Sequence, residues 1–211
     1  MISGYVQLLK RRYKGKLDDE ADEFINFAVD GATRMQRLIN DLLKYSRVNT
    51  KGKEPEEINT EEVLGRVLTD LGMMIEDSGA KVEHNELPLV KADDMQLGQV
   101  FQNLVSNALK FHGEDPPEVL VNAEKQGTEW LFKVKDNGVG MDPKFQERAF
   151  MIFQREDPHG ETLGTGIGLA VVKRIIERHK GKIWFDSEPG KGTTFYFTIP
   201  DIISTQEEGN T

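Results

Sequence analysis

Four clusters in this 211-residue chain carry groups suited to chemistry. In the first, Asn103, Asn107 and Lys110 are spaced four and three apart, so on a helix they share a face. Two amide oxygens and an ammonium on one face suit a magnesium ion, which keeps waters and takes few protein ligands, together with polyphosphate oxygens. A solvated polar stripe would have the same spacing. The second cluster, Asp136-Asn137-Gly138-Val139-Gly140-Met141, stands at a strand end. Its carboxylate could accept a hydrogen bond from an exocyclic amine, and its glycines let backbone approach a ligand or take positive φ. A plain turn ending a strand is the alternative. The third, Phe150-Met151-Ile152-Phe153, follows a short helix starting near Pro143 and reads mostly as core. The fourth, Gly164-Thr165-Gly166-Ile167-Gly168-Leu169, runs into a helix, where backbone amides can cradle an anion. No Walker lysine follows it and no Rossmann strand immediately precedes it. Residues 154–163 between them are polar, contain Pro158 and Gly160, and would serve as a mobile lid.

The elements that must position these groups are visible in the periodicity. Over residues 17–45 one apolar seam is Leu17, Phe24, Gly31, Leu38 and Tyr45, and the other is Ala21, Ala28, Met35 and Leu42. This heptad grid predicts a long coiled-coil-like helix. Ile2, Val6, Leu9 and Tyr13 follow the same rule, and Lys14-Gly15-Lys16 reads as a tight loop, so residues 1–48 form a helical hairpin. Two helices leave apolar flanks uncovered, and a four-helix bundle made by two chains closes them. At 1.5 Å per residue the second helix runs about 45 Å and the first less than half of that. Either a neighbouring chain or ligand covers the excess, or the first helix begins upstream of Met1. Residues 48–57 read as a polar linker.

Beyond the linker, helices and strands alternate. Asn59 with Glu62 makes an N-cap pair, followed by the stripe Val63, Leu64, Val67, Leu68, Leu71 and Ile75 in one helix ending at Gly79. Asp93 with Gln96 opens another, carrying Leu97, Val100, Phe101, Leu104, Val105 and Leu109. Residues 118–125 and 129–136 read as paired strands, 166–179 as a helix, and 182–187 with 193–199 as a closing hairpin. Residues 204–211 form a polar, mobile tail.

Composition narrows the function classes. Asp and Glu number 36 against 27 Lys and Arg, a net charge of -9, which disfavours nucleic acid as a partner. The absence of cysteine excludes disulfides, thiol chemistry and Cys-ligated zinc. No apolar run approaches the roughly 18 residues of a membrane span, and the first residues lack the signal-peptide charge order, so the cytoplasm is the default compartment.

In this order and spacing the four clusters resemble the sequence boxes of the histidine kinases of two-component signalling. Residues 103–111 are similar to the N box, 136–140 to the first glycine box, 150–153 to the F box and 164–168 to the second glycine box. Residues 35–48, with Leu38-Ile39-Asn40-Asp41-Leu42-Leu43-Lys44-Tyr45-Ser46-Arg47, resemble the X region of the second dimerisation helix. The likeness extends to about Pro200 and points to the phytochrome-like, PAS-linked sensor kinases. It implies an α+β chain: a helical hairpin, dimeric as a four-helix bundle, followed by an α/β sandwich of the histidine kinase/gyrase-type ATPase fold. The implied division is a partial dimerisation and phosphotransfer hairpin in 1–50, an ATP-binding domain in 54–201 and a tail in 202–211. The implied cofactors are ATP and Mg2+. Asp136 would read the adenine amine, with Thr193 supporting it through water. Asn107, with Asn103, would hold the metal, Lys110 would touch phosphate and Phe111 would pack near the base. Gly138, Gly140, Phe153, Gly164, Gly166, Ile167, Gly168 and Leu169 complete the implied nucleotide site. The hydrolysing relatives carry a glutamate where this chain has Asn103. A carboxylate can act as general base on water and an amide cannot, so the resemblance implies a γ-phosphoryl kept for another nucleophile.

The family's acceptor histidine belongs to a motif just before the stretch that matches Met1-Ile2-Ser3-Gly4, so none is expected in this chain. Of its four histidines, His84 lies at a strand edge, His112 follows the N box, His159 is in the lid, and His179 ends a helix, where an imidazole favours the dipole. A structural role is expected for each. Two functions remain open. One is the Mg-ATP-binding core of a larger sensor kinase that begins past its acceptor motif. Its partners would be a second copy, an upstream sensor domain and a response-regulator receiver domain. The other is a non-catalytic nucleotide-binding adaptor or sequestering protein that naturally lacks the acceptor.

Overall fold

A computed structural model of the protein describes residues 1–50, 52–145, 147–155 and 164–201. The chain divides into two compact units, Met1–Lys44 and Tyr45–Thr211. In the first, α1 (Ile2–Tyr13) and most of α2 (Asp19–Thr50) form the helical hairpin. The chain turns at Gly15, whose φ of 71° is left-handed and costs glycine little. The Gly15 N–H donates to Asp22 at 2.8 Å, and Asp18 accepts from the Ala21 N–H at 2.8 Å. Lys10, Arg11 and Arg12 close α1 while Asp19, Glu20 and Asp22 open α2, each set matching its helix dipole. The heptad seam is largely bare within one chain: Leu17, Phe24, Met35 and Leu42 are 53%, 60%, 52% and 44% exposed.

The second unit is a two-layer α/β sandwich. Its strands are β1 (Glu56–Asn59), β2 (Lys81–His84), β3 (Leu89–Ala92), β4 (Glu118–Gln126), β5 (Glu129–Asp136), β6 (Ile183–Glu188) and β7 (Gly192–Pro200). Its helices after α2 are α3 (Thr60–Asp70), α4 (Gly72–Ser78), α5 (Asp94–Lys110) and α6 (Gly168–Arg178). A five-stranded sheet has the order β2-β4-β5-β7-β6, and β1 pairs with β3 in a separate ribbon. Only the β2–β4 pairing in the large sheet is parallel. α5 packs against β4 and β5 and α6 against β7, with α3 and α6 flanking α5. The centre is aromatic: Phe132 and Phe197 are register partners stacked at 4.9 Å, and Phe101 of α5 meets their rings at 6.1 and 5.9 Å in edge-on geometry. All three are 0% exposed. Truncating any one to alanine would cost about 3–5 kcal/mol.

The structure departs from the sequence expectation in several places. α2 continues to Thr50, into the expected linker, because Val48 is still a buried apolar position at 3% exposure. β1 occupies part of that linker too, held by pairing with β3 and by the one buried side chain of Ile58. The helix expected to run to Gly79 breaks at Leu71 into α3 and α4, although Gly79 does end it in the left-handed conformation. α6 begins at Gly168, since Gly166 has φ 69° and stands outside the helix. The short helix at Pro143–Phe145 is a single 3-10 turn. The Phe150–Phe153 stretch is not mostly core: Met151, Ile152 and Phe153 are 55%, 38% and 53% exposed, and only Phe150 packs on Phe185, at 5.7 Å. Residues 156–163 of the expected lid, with His159, and the expected tail at 204–211 lie outside the described residues.

His179 has the structural role expected of it, by a different interaction. It is buried, and its Nε2 accepts the Asp93 N–H at 2.9 Å, so the proton sits on Nδ1 and is donated to the Ile175 carbonyl at 2.8 Å. Burial holds its pKa below the ordinary histidine value, and Arg178 adds to this, against the Ile175 carbonyl and Asp93. It is therefore a neutral core histidine, not a cation on the helix dipole. Because the folded pKa is depressed, the unfolded chain binds more protons as pH falls through the histidine range. The stability from His179 is full above an unfolded pKa of about 6.5 and is lost as pH drops towards the folded value. Melting temperature should fall between about pH 7.5 and 5.5, and less so in His179→Gln, whose side-chain oxygen can take the same N–H. An unchanged pH slope in that variant contradicts this assignment.

Candidate functional site

The site is built where the end of β5 lies beside the start of β7. Lys135 is paired with Thr194, which leaves Asp136 against Thr193 at the last step of the ladder. Asp136 Oδ1 accepts the Gly138 N–H at 2.9 Å and the Thr193 N–H at 3.0 Å. Oδ2 has no hydrogen-bond partner among the described residues. Burial pushes the Asp136 carboxyl above the usual aspartate range, and the two N–H groups offset this only in part. The result is a half-buried carboxylate with one oxygen tied down and one left to accept. The Thr193 support is direct and from backbone; its hydroxyl instead meets Ser187 Oγ at 2.8 Å.

Ser187 was not legible as a site residue. Its hydroxyl takes the Met141 N–H at 2.8 Å and reaches the Gly192 carbonyl at 3.1 Å, so it ties the first glycine cluster to the β6–β7 hairpin. A serine before a Glu-Pro-Gly turn carries no signal of that role. Nothing larger than glycine fits at 192, where a Cβ would press on the Asp136 carbonyl oxygen.

The four clusters are brought into contact by backbone. Phe111 caps the C-terminus of α5, and its carbonyl accepts the Val139 N–H at 2.9 Å. A Cβ on Gly138 would stand 2.5 Å from that same carbonyl oxygen, so the N-box helix and the first glycine cluster meet at a glycine. A Cβ on Gly168 would stand 2.8 Å from Asn103 Oδ1, which joins α5 to the second glycine cluster. A Cβ on Gly166 would stand 2.9 Å from the Phe153 carbonyl carbon, which joins the second glycine cluster to the F-box stretch. Gly140, with φ 68°, lies against the Glu188 carbonyl, and Gly164 is open. Ile167 is 0% exposed, so its side chain belongs to the core and only its backbone can face a ligand. Leu169 is half-buried and Phe111 is 41% exposed.

On α5, Asn103 and Asn107 are half-buried and Lys110 is exposed. The Asn103 amide donates to the Gln99 carbonyl at 2.8 Å, which leaves its oxygen beside Gly168. The Asn107 side chain has no hydrogen bond among the described residues, so its oxygen is available to an incoming ion. Among those residues no group of three or more His, Asp or Glu could hold a metal. A divalent ion here would rest on amide oxygen, water and the ligand's own oxygens, which suits magnesium. A depression of about 300 Å³ lies elsewhere, on the exposed sheet face around Leu120 and Lys135. Asp136 borders it, but Asn103, Asn107 and Lys110 do not, so it is not this site.

Comparison with known proteins shows the family and the fold. Residues 92–203 match the family described as histidine kinase-, DNA gyrase B-, and HSP90-like ATPase, and residues 1–51 match the His Kinase A (phospho-acceptor) domain. Cyanobacterial phytochrome A of Nostoc sp. strain PCC 7120 is 49% identical over 94% of this chain and 26% of its own length. The chain thus spans about a quarter of that relative. Full-length ShkA in complex with AMPPNP superposes with a TM-score of 0.70 at 27% identity, over 94% of this chain and 42% of that one. Histidine kinase ThkA in complex with the response regulator TrrA superposes with a TM-score of 0.68 at 26% identity, over 95% of this chain and 57% of that one. Among the described residues no helix is long and apolar enough to cross a membrane. With both segments matched and the histidine kinase fold in both units, this chain belongs to the histidine kinases of the gyrase B- and HSP90-like ATPase family.

Proposed function

We propose that this chain is the dimerisation and Mg-ATP-binding core of a cytoplasmic sensor histidine kinase, which transfers the γ-phosphoryl of ATP to a histidine for relay to a response-regulator aspartate. The observation that carries it is Asp136, one oxygen fixed by the Gly138 and Thr193 N–H groups and the other left to accept from the adenine amine. Asn107, with Asn103, offers amide oxygen to magnesium, which would supply charge neutralisation at the phosphates. Lys110 would reach a phosphate, and Phe111 would pack near the base. The backbone N–H groups of Gly164, Gly166 and Gly168 would face the phosphates at the start of α6. Asn103 offers no carboxylate to deprotonate water, so the γ-phosphoryl is held for a nucleophile delivered from outside the pocket. Residues 1–50 would supply the hairpin and 54–201 the nucleotide domain. The bare heptad seam, Phe24 and Met35 included, is what a second copy would cover. The ThkA complex supports a receiver domain as the partner that follows.

The adaptor function stays in competition because residues 1–51 contain no histidine, although they match a phospho-acceptor domain. Labelled ATP separates the two. Binding without self-labelling, with labelling restored when the chain is extended upstream, supports the kinase; binding that stays unproductive after extension supports the adaptor.

Asp136→Asn should weaken ATP binding by about tenfold or more, since a hydrogen bond to a charged group contributes about 1.5–3 kcal/mol. Asn107→Ala should reduce the gain in affinity that magnesium gives. Calorimetry showing the parent's affinity in both variants would falsify the site. In nucleotide-free protein the sign reverses for Asp136→Asn. The raised folded pKa makes the ionised carboxylate costly at neutral pH, so the variant should melt higher than the parent there. That gain should vanish as pH falls through the folded pKa and Asp136 becomes protonated.

A further inference from the structure

Where the chain leaves α2 it is held by a partly buried polar junction that shares no residue with the candidate nucleotide site. Val48 is buried, and its carbonyl accepts from Gln96 Nε2 at 2.8 Å. The Lys53 N–H donates to Asp93 Oδ2 at 2.6 Å, and the Lys53 carbonyl accepts from Arg178 Nη2 at 2.6 Å. Arg178 Nη1 donates to Gln96 Oε1 at 2.9 Å and lies 3.6 Å from Asp93 Oδ2. Gly52 lies on the guanidinium: a Cβ there would press on Arg178 Cζ and stand 2.6 Å from both Arg178 Nη2 and Gln96 Nε2. Further back, the Tyr45 ring takes the Arg174 guanidinium 4.5 Å from its centroid. Asp93 and Gln96 are 2% and 7% exposed, so the Gln96–Val48 bond is shielded from water, while the Arg178–Lys53 bond lies at the surface.

The groups that hold the segment from Tyr45 to Lys53 come from two helix ends. Asp93 and Gln96 are the N-cap pair of α5, while Arg174, Arg178 and His179 lie at the C-terminal end of α6. The opposite ends of the same helices carry Asn103, Asn107 and Lys110 on α5 and Gly168 on α6, with Gly168 against Asn103. The two helices therefore run antiparallel, gripped at one end by the linker and lined at the other by the candidate nucleotide site. At 1.5 Å per residue, α5 places Asn103 about 15 Å and Lys110 about 25 Å beyond Asp93.

We propose that Val48, Gly52 and Lys53 form a strap coupled to nucleotide binding through the α5–α6 pair, with Arg178 as the positioning residue that seats it. The inference rests on the ATP-binding function proposed above. The Arg178 fork reaches Gln96 and Lys53 together only when the last turn of α6 lies against the first turn of α5. Asn103 and the backbone at Gly168 face one ligand together only when the first turn of α6 lies against α5 further along. Both require the same apposition of two helices, so each binding event favours the other, and the coupling is reciprocal.

The test uses the full chain, ADP and a non-hydrolysable ATP analogue with magnesium. Arg178→Ala removes the fork, Arg178→Lys keeps the charge without it, and Gly52→Ala displaces the strap from its own side. Hydrogen exchange at the Lys53 amide reports the strap, and calorimetry reports nucleotide affinity. Nucleotide should slow Lys53 exchange in the unsubstituted chain. Arg178→Ala and Gly52→Ala should each speed it and weaken nucleotide binding by about fivefold or more, with Arg178→Lys in between. Far-UV circular dichroism checks folding, and Gly52→Ala decides the matter if Arg178→Ala unfolds. Faster Lys53 exchange at unchanged affinity, or Lys53 exchange indifferent to nucleotide, overturns the coupling and leaves ATP binding intact. No binding by the unsubstituted chain overturns both.

Discussion

The carboxylate of Asp136, fixed by two backbone N–H groups at the end of the central strand pair, is the constraint around which the second unit is organised. Gly138 must turn back to donate, and β7 must start in register to present Thr193. Gly192 must lack a side chain so that β7 can pass the Asp136 carbonyl. Burial works against the charge, since the carboxyl stays above its usual range even with both donors in place. The other oxygen has no hydrogen-bond partner among the described residues, and it is the acceptor that the proposed adenine contact would use.

Support for that arrangement comes from α5, which serves the core and the site at once. Phe101, Leu104, Val105 and Ala108 are buried on one side, and Phe101 meets the stacked Phe132 and Phe197. The helical period then puts Asn103, Asn107 and Lys110 along the adjoining face. Packing at the centre of the sheet thus holds the polar groups at the helix end without any ion pair among them. The same helix begins in the Asp93 junction, where a half-buried arginine fork holds the Lys53 carbonyl and a neutral histidine takes the Asp93 N–H.

The first unit has a different economy of surface. Ala32 is the one buried residue among residues 1–44, and a continuous apolar stripe faces solvent in the single chain. An exposed apolar stripe of this kind marks an interaction surface, the one that the proposed second copy would cover.

Periodicity and capping made much of this legible beforehand. The heptad grid, the Asn59 and Asp93 caps, the paired strands on either side of Gly127 and the closing hairpin are all set by local residue choice, and they stand where the sequence places them. The order of the four polar and glycine clusters was equally plain. Not legible were β1, the break at Leu71, the exposure of Met151 and Phe153, and the roles of Ser187, Arg178 and His179. Those depend on which segments become neighbours. A four-residue strand with one buried side chain exists only because β3 lies beside it. A serine or histidine becomes structural only when burial removes water and leaves a particular N–H as its partner. Local pattern therefore determined the elements and their chemistry, while tertiary packing alone decided which polar groups are buried, which protonation state each can keep, and which atoms remain free to bind.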